Sequence, residues 1–265
     1  MVILCFGDIF AKPGRSAIEK ALPGLVARHK PDFIIGNAEN IAGGNGVNRK
    51  TLNELFALGF HGFTSGNHIW DNKEVYNIIE TDHRLIRPAN FPDRLGLACP
   101  GKGSTILEVN GKKLRLVNVM GRLFMDALDC PFQSVDKELE GIDTDIPTLV
   151  DMHAETTSEK YAMGFHLNGR VSAVVGTHTH VQTADERVMS EGTAYITDIG
   201  MTGSFNSVIG LRHTEIVKRF ITKRRHPYQV ASEEPGVCAV VIRLNLQGKA
   251  VAIERIRQRV AEDEE

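Results

Sequence analysis

Val171-Ser172-Ala173-Val174-Val175-Gly176-Thr177-His178-Thr179-His180 is the stretch on which the reading of the whole chain turns. Its apolar run, Val171 to Val175, has the length and β-branched content of a buried strand. Side chains alternate along an extended segment, so His178 and His180, two apart, point the same way. That is a metal-ligand spacing. A single His-x-His is equally a pair of loop imidazoles, so the residues around it must decide.

Four more apolar runs lie upstream, and each delivers polar side chains at its end. Val2 to Phe6 precedes Gly7-Asp8, Phe33 to Ile35 precedes Asn37-Ala38-Glu39-Asn40, and Phe60 to Thr64 precedes Gly66-Asn67-His68. Thr148 to Val150 runs into Asp151-Met152-His153. Five strand ends converging in this way are how an α/β enzyme assembles one site.

Helical segments, Ser16 to His29 and Thr51 to Leu58, alternate with these strands, the second introduced by a threonine able to cap it. This is the rhythm of a largely parallel sheet. Ser104 to Val119 reads instead as two strands joined by Asn110-Gly111, a strong hairpin signal. A second hairpin is expected from Val237 to Leu244 and Ala250 to Ile256 around Gln247-Gly248. Parallel units and hairpins in one chain favour a mixed sheet, or two stacked sheets, flanked by helices.

The 265 residues, 42% of them hydrophobic, suffice for a substantial core. No repeat, low-complexity tract or linker divides them, so one domain over 1–265 is expected, with the acidic end Glu262 to Glu265 as a frayed tail. The net charge of −2 is interspersed, which argues against a general nucleic-acid or membrane surface. Apolar stretches such as Val237 to Ile242 fall well short of the roughly 20 residues that span a bilayer. Asp8 interrupts the N-terminus before a signal-peptide core develops, so a soluble, cytoplasmic protein is expected. Cys5, Cys99, Cys130 and Cys238 have no paired spacing and read as reduced structural thiols.

Asp8 follows a strand and precedes a turn, where a carboxylate is free to bind a cation; Pro13 to Ser16 give the next helix a nearer start than an Asp8 cap would. Glu39 ends an apolar run, where its charge needs a counter-charge, and its two oxygens can bridge two cations. Asn40 and Asn67 offer neutral oxygens suited to divalent ions, although asparagine beside glycine is ordinarily a turn former. With His153, His178 and His180, the candidates number seven, too many for one open zinc site. They suit two metals sharing a bridging carboxylate, about 3.5–4 Å apart, which hold a bridging hydroxide and clamp a phosphoryl centre for in-line attack. Donors without thiolate favour iron or manganese and admit zinc. Phosphoester hydrolysis is the expected reaction, on a small-molecule phosphoester.

Gly7-Asp8, Gly66-Asn67-His68, His153 and Gly176-Thr177-His178-Thr179-His180 resemble the ordered blocks of the calcineurin-like metallophosphoesterase superfamily. Gly7-Asp8-Ile9-Phe10 with Lys12-Pro13-Gly14-Arg15, Asn37-Ala38-Glu39-Asn40, Gly66-Asn67-His68-Ile69-Trp70-Asp71 and Thr197-Asp198-Ile199-Gly200-Met201 resemble its bacterial YmdB-like branch, across essentially the whole chain. The resemblance implies a four-layer αββα sandwich of two mixed sheets flanked by helices. It further implies a cytosolic dinuclear phosphodiesterase acting on cyclic nucleotides, and a homo-oligomer. Phe10 stands where the superfamily pattern has a metal-binding histidine, and Glu39-Asn40 replaces its bridging aspartate block; both departures match the YmdB-like branch. On this resemblance, Asp8, Glu39, Asn40 and His180 hold one ion, and Glu39, Asn67, His153 and His178 the other, with Asn40 either a direct ligand or a group behind one.

His68, beside Asn67 and not needed on metal, is the expected general acid; a third imidazole ligand or a turn histidine are the alternatives. Asp71 either orients it or caps a helix. Lys12, Gly14 and Arg15 are placed to meet a substrate phosphate or to form a solvated loop. The run Gly200 to Gly210 reads as a substrate loop or a plain connection. Lys218, Arg219, Lys223, Arg224 and Arg225 fit the polar face of a helix containing Ile216, Val217, Phe220 and Ile221, a solvated face in preference to an RNA contact. Two other readings stay open. One is a metal-dependent phosphomonoesterase or amide hydrolase, although amidohydrolases carry their His-x-His after the first strand. The other is a non-catalytic, metal-dependent regulator that binds nucleotides or RNA.

Overall fold

Strand β1 (Val2–Ile9) is apolar on both faces, and in the computed structural model of the chain it is buried on both sides within a six-stranded sheet. The structure describes residues 1–92, 99–141, 143 and 145–261; the acidic end Glu262 to Glu265 lies outside them. After β1 come α1 (Ala11–His29), β2 (Phe33–Asn37), α2 (Arg49–Ala57), β3 (Gly62–Thr64) and α3 (Val75–Thr81). A second series follows: β4 (Ser104–Val109), β5 (Lys112–Met120), α4 (Pro131–Glu138), β6 (Thr148–His153), α5 (Thr157–Leu167) and β7 (Ala173–Thr177). The chain then adds β8 (Arg187–Val188), β9 (Ala194–Ile196), β10 (Met201–Ser204), α6 (His213–Thr222), β11 (Pro235–Leu244) and β12 (Ala250–Arg259).

One sheet has the order β12-β11-β10-β1-β2-β3 and the other β4-β5-β6-β7-β9-β8. Both are mixed. β1, β2, β3 and β10 run parallel, as do β5, β6, β7 and β9, while β11–β12 and β4–β5 are antiparallel hairpins. Ile3, Cys5, Phe33 and Ile35 of the first sheet pack between the sheets against Leu114, Leu116, Leu149 and Val175 of the second. On the outer face of the first sheet, Leu4 and Phe6 meet Ile18, Leu22 and Leu25 of α1, Leu52 and Leu55 of α2 and Ile78 of α3. Outside the second sheet, Val119, Val150 and Val174 meet Val135 of α4 and Met163 and Leu167 of α5. This is the four-layer αββα sandwich that the sequence leads one to expect. Strands covered on both faces need continuous apolar runs, which is what these strands contain.

Both hairpins form as expected, the first around Asn110 and Gly111 at φ 49° and 75°, the geometry that Asn-Gly favours. Some boundaries differ. α1 begins at Ala11, five residues before Ser16, because Pro13 is tolerated in a first turn whose N–H groups have no helical partner. Asn48, not Thr51, caps α2, its side chain accepting from the Thr51 N–H at 2.9 Å. The first part of Gly200 to Gly210 is β10, a strand of the first sheet, and only the remainder is loop. The basic helix is corrected as well. α6 ends at Thr222, Lys223 adopts a left-handed conformation, and Arg224 and Arg225 fall outside it. Only Ile216 of its apolar residues is buried, while Val217, Phe220 and Ile221 are exposed. Among the described residues, no helix is long and apolar enough to cross a membrane.

Candidate active site

The C-terminal ends of β1, β2, β3, β6 and β7 open on one side of the two sheets and bring Asp8, Glu39, Asn67, His68, His153, His178 and His180 into mutual contact, with Asn40 lining the same cavity. Asp8, at the end of β1, is fully buried, and its Oδ2 accepts the backbone N–H of His178 at 3.2 Å. Its Oδ1 faces His180 Nε2 at 3.8 Å and has no hydrogen-bond partner. Burial pushes the Asp8 carboxyl up, against the pull of His180 and His153. Just past β2, Glu39 places Oε1 at 3.2 Å from His153 Nε2, and its Oε2 accepts the His68 N–H at 3.0 Å. Burial alone would raise its pKa, but the charge and hydrogen bond of His153 hold it well below the usual carboxylate range.

Asn40 donates its amide to the Gly44 carbonyl at 2.8 Å, which turns the other end of the group, a buried Oδ1 without a partner, into the site. Asn67, after β3, sets its Oδ1 at 3.0 Å from His153 Nε2. The close approach depends on Gly66, where an added Cβ would fall 2.1 Å from His153 Nε2. Nitrogen and oxygen atoms of Glu39, His153 and His178 lie within 4.8 Å of one another.

Hydrogen bonds to the outer ring nitrogens fix a proton on each Nδ1. The Thr177 hydroxyl donates to Asp151 Oδ1 at 2.7 Å, so it accepts from His153 Nδ1, 2.9 Å away. His180 Nδ1 likewise donates to the Ile209 carbonyl at 3.1 Å. In both rings Nε2 is left facing carboxylate and amide oxygens. Burial would lower the His153 pKa, but the surrounding carboxylates, Glu39 first, raise it to about 9. His178 moves the other way, to about 3, because burial and the neighbouring His153 disfavour a second cation. Its Nε2 lies 3.1 Å from Glu155 Oε2. His68 bonds through Nδ1 to Asp71 Oδ2 at 2.8 Å, so Asp71 orients this ring.

Two buried groups behind the site follow from burial more than from spacing. Asp151, accepting from Thr64, Thr177 and Asn37, is pushed by burial up to about 6. A carboxylate two residues before His153 on the same strand face was its signal. Lys160 of α5, fully buried, pairs with Asp198 Oδ2 at 2.7 Å, and the same oxygen accepts from the Thr179 N–H and hydroxyl. Asp198 Oδ1 accepts the Gly200 N–H. The pair clamps the segment between His178 and His180. Nothing in the sequence marks Lys160, which sits in an ordinary helical pattern. The expected phosphate contacts fare differently. Arg15 is occupied by Glu54 Oε2 and the Ile41 carbonyl, and Gly14 packs against the Thr202 carbonyl.

Glu39, Asn40, His68, His178 and His180 share a cavity of about 270 Å³ with Phe10, Ile209, Leu211, Tyr228 and Val230. Its polar side is built of carboxylate, amide and imidazole acceptors. Asp8 Oδ1 and Asn40 Oδ1, buried and unpartnered, together with imidazole nitrogens set against carboxylate and amide oxygens, form a set that a cation would complete, displacing the His153 Nε2 proton. The residues fit divalent metal.

The model of the YmdB-like protein family matches residues 4–256. A Bacillus subtilis protein named 2′,3′-cyclic-nucleotide 2′-phosphodiesterase is 45% identical over 258 residues, 97% of this chain and 96% of that one. The crystal structure of a novel phosphatase from Mycoplasma pneumoniae superposes with a TM-score of 0.92 at 32% identity, covering 99% of this chain and 94% of that chain. A 5′-nucleotidase precursor from Thermus thermophilus, 12% identical, shares the fold alone, with a TM-score of 0.59 over 98% of this chain and 54% of that one. The family match and the near-complete alignments agree with the architecture and with the converging strand ends: the chain belongs to the YmdB-like protein family.

Proposed function

We propose that the protein is a dinuclear metal-dependent phosphodiesterase that opens the cyclic phosphate of 2′,3′-cyclic nucleotides. The observation that carries the reading is the pair of buried, unpartnered acceptors, Asp8 Oδ1 and Asn40 Oδ1, set among imidazole and carboxylate donors in a cavity open to ligand. The activity for which the Bacillus subtilis relative is named supports the substrate class. Asp8, Glu39, Asn40 and His180 would hold one ion and Glu39, Asn67, His153 and His178 the other, with iron or manganese suited to the oxygen and nitrogen donors. When bound, the metals supply an activated water as nucleophile and positive charge on the phosphoryl oxygens.

The chain's own residues do the rest. Glu39 is held in orientation by the His68 N–H and by its own N–H on Asn37 Oδ1. Asp151 and Thr177 keep a proton of His153 on Nδ1, so Nε2 is the nitrogen that would give up its proton and turn its lone pair to the metal. His68 lines the cavity with Nδ1 occupied by Asp71, and its Nε2 would deliver a proton to the ribose oxygen as the P–O bond breaks. Water oxygen thus bonds to phosphorus, one ring P–O bond opens, and the departing oxygen leaves as a hydroxyl of a nucleoside monophosphate.

The test is hydrolysis of a 2′,3′-cyclic nucleotide and a phosphomonoester by metal-stripped protein after separate addition of manganese, ferrous iron, zinc or magnesium. Diester cleavage that needs metal and is lost in Asn67→Ala is expected. Preference for the monoester would move the assignment to a phosphatase, as the Mycoplasma pneumoniae neighbour is named. No turnover with any ion would overturn the enzyme reading.

A further inference from the structure

We infer that Tyr228 is a specificity-determining residue that stacks on the nucleobase of the substrate, an inference that rests on the cyclic-nucleotide reading of the same cavity. The segment after β10 returns on itself as a short antiparallel ribbon. Leu211 bridges Val230, the Arg212 N–H donates to the Gln229 carbonyl at 2.8 Å, and the Ala231 N–H donates to the Gly210 carbonyl at 2.9 Å. The ribbon is fixed to the site at two places. Its Ile209 carbonyl accepts from His180 Nδ1, and Gly210, at φ 98°, lies so close to Phe10 that a Cβ would fall 2.5 Å from the ring. The ribbon therefore cannot swing away from the site without breaking the contact that orients His180.

Through this ribbon Ile209, Leu211, Tyr228 and Val230 line the cavity opposite in character to the carboxylate, amide and imidazole groups. The cavity is thus amphipathic, as a ligand with an ionic ester and a flat apolar body requires. Tyr228 is 57% exposed although it belongs to the lining. The Arg219 guanidinium stands 4.9 Å from its ring centroid, covering the ring with a cation. An aromatic ring backed by arginine beside a phosphoester site is the arrangement on which bases stack without sequence-specific hydrogen bonds. Charge alone does not explain it, because the ribbon's other cavity residues are aliphatic.

The experiment compares adenosine 2′,3′-cyclic phosphate with glycerol 1,2-cyclic phosphate, a five-membered cyclic diester without a base, on metal-loaded wild type, Tyr228→Ala and Tyr228→Phe. The alanine variant should raise KM for the nucleotide about ten-fold with little change in kcat, the size of loss expected when a base–aromatic stack is truncated. The preference for nucleotide over glycerol ester should fall by the same factor, while the phenylalanine variant keeps it. An unchanged preference in Tyr228→Ala, or an equal loss on both esters, would overturn the inference. Should wild type cleave neither ester, the hydrolase reading fails, and calorimetric titration with adenosine 3′-monophosphate decides the platform separately. About ten-fold weaker binding by Tyr228→Ala would support it, and equal affinity would sink it.

Discussion

His153 is set by two atoms that never reach the cavity, the hydroxyl of Thr177 and the carboxylate of Asp151. The relay from His153 Nδ1 through Thr177 to Asp151 Oδ1 leaves Nε2 beside Glu39 and Asn67. Thr177→Val conserves shape and removes the relay, so metal affinity should fall about 10- to 100-fold, as when groups behind a metal ligand are lost. Manganese titration followed by electron paramagnetic resonance reads this directly; Thr177→Ser should restore affinity, and wild-type affinity in the valine variant would refute the relay. His68 makes a different claim. If it protonates the leaving oxygen, His68→Ala should slow cyclic-nucleotide opening by about 10² to 10⁴. Its loss on bis(p-nitrophenyl) phosphate, whose leaving group needs no proton, should be much smaller, whereas a histidine that held metal would lose both rates together.

The segment from β7 to β10 is held to α5 by one buried ion pair, Lys160 with Asp198, which also gathers the Thr179 and Gly200 amides. Removing one partner leaves a charge in the interior and typically costs about 3–5 kcal/mol. At about 2–4 °C per kcal/mol for a chain of this size, Lys160→Met should lower Tm by about 6–20 °C by calorimetry. Lys160→Met combined with Asp198→Asn should recover part of that, and a single variant as stable as wild type would show the pair to be dispensable. These elements also show where sequence reading stops. The strands were legible because apolar runs end in polar clusters, and the hairpin because Asn110-Gly111 demands positive φ. His178 and His180 were legible as a pair, but not through the alternation of an extended strand: β7 ends at Thr177, and the two histidines sit in the following turn at φ 93° and 62°. Lys160 was not, because its helix shows no pattern that separates a buried ammonium from a solvated one, and its partner lies 38 residues away. The exposure of Phe220 and Ile221 was hidden for the opposite reason. Their periodicity matches a core-facing helix, yet Ile216 alone of the apolar residues of α6 is buried.

Both sheets direct their parallel strands to the same edge, so the acceptors gathered there belong to both halves of the sandwich: Asp8, Glu39 and Asn67 lie at or just past the ends of strands of the first sheet, and His153 and His178 at or just past the ends of strands of the second. A cation held between them would crosslink the two sheets in the folded state and would be released on unfolding. Any ligand that binds only the native state stabilises it by RT ln(1 + [L]/Kd), about 2.7 kcal/mol at a hundred times Kd. For a chain of this size that corresponds to a rise in Tm of about 5–10 °C. Metal-stripped protein should therefore melt lower than the same protein with manganese or ferrous iron, and the gap should widen with ion concentration. The gap should shrink or vanish in Asn67→Ala and in His153→Ala, each of which removes a donor from one side of the edge. A rise that survives both substitutions would place the ion elsewhere on the molecule and would remove the physical basis for assigning catalysis to this edge, since the unpartnered oxygens of Asp8 and Asn40 would then need another explanation.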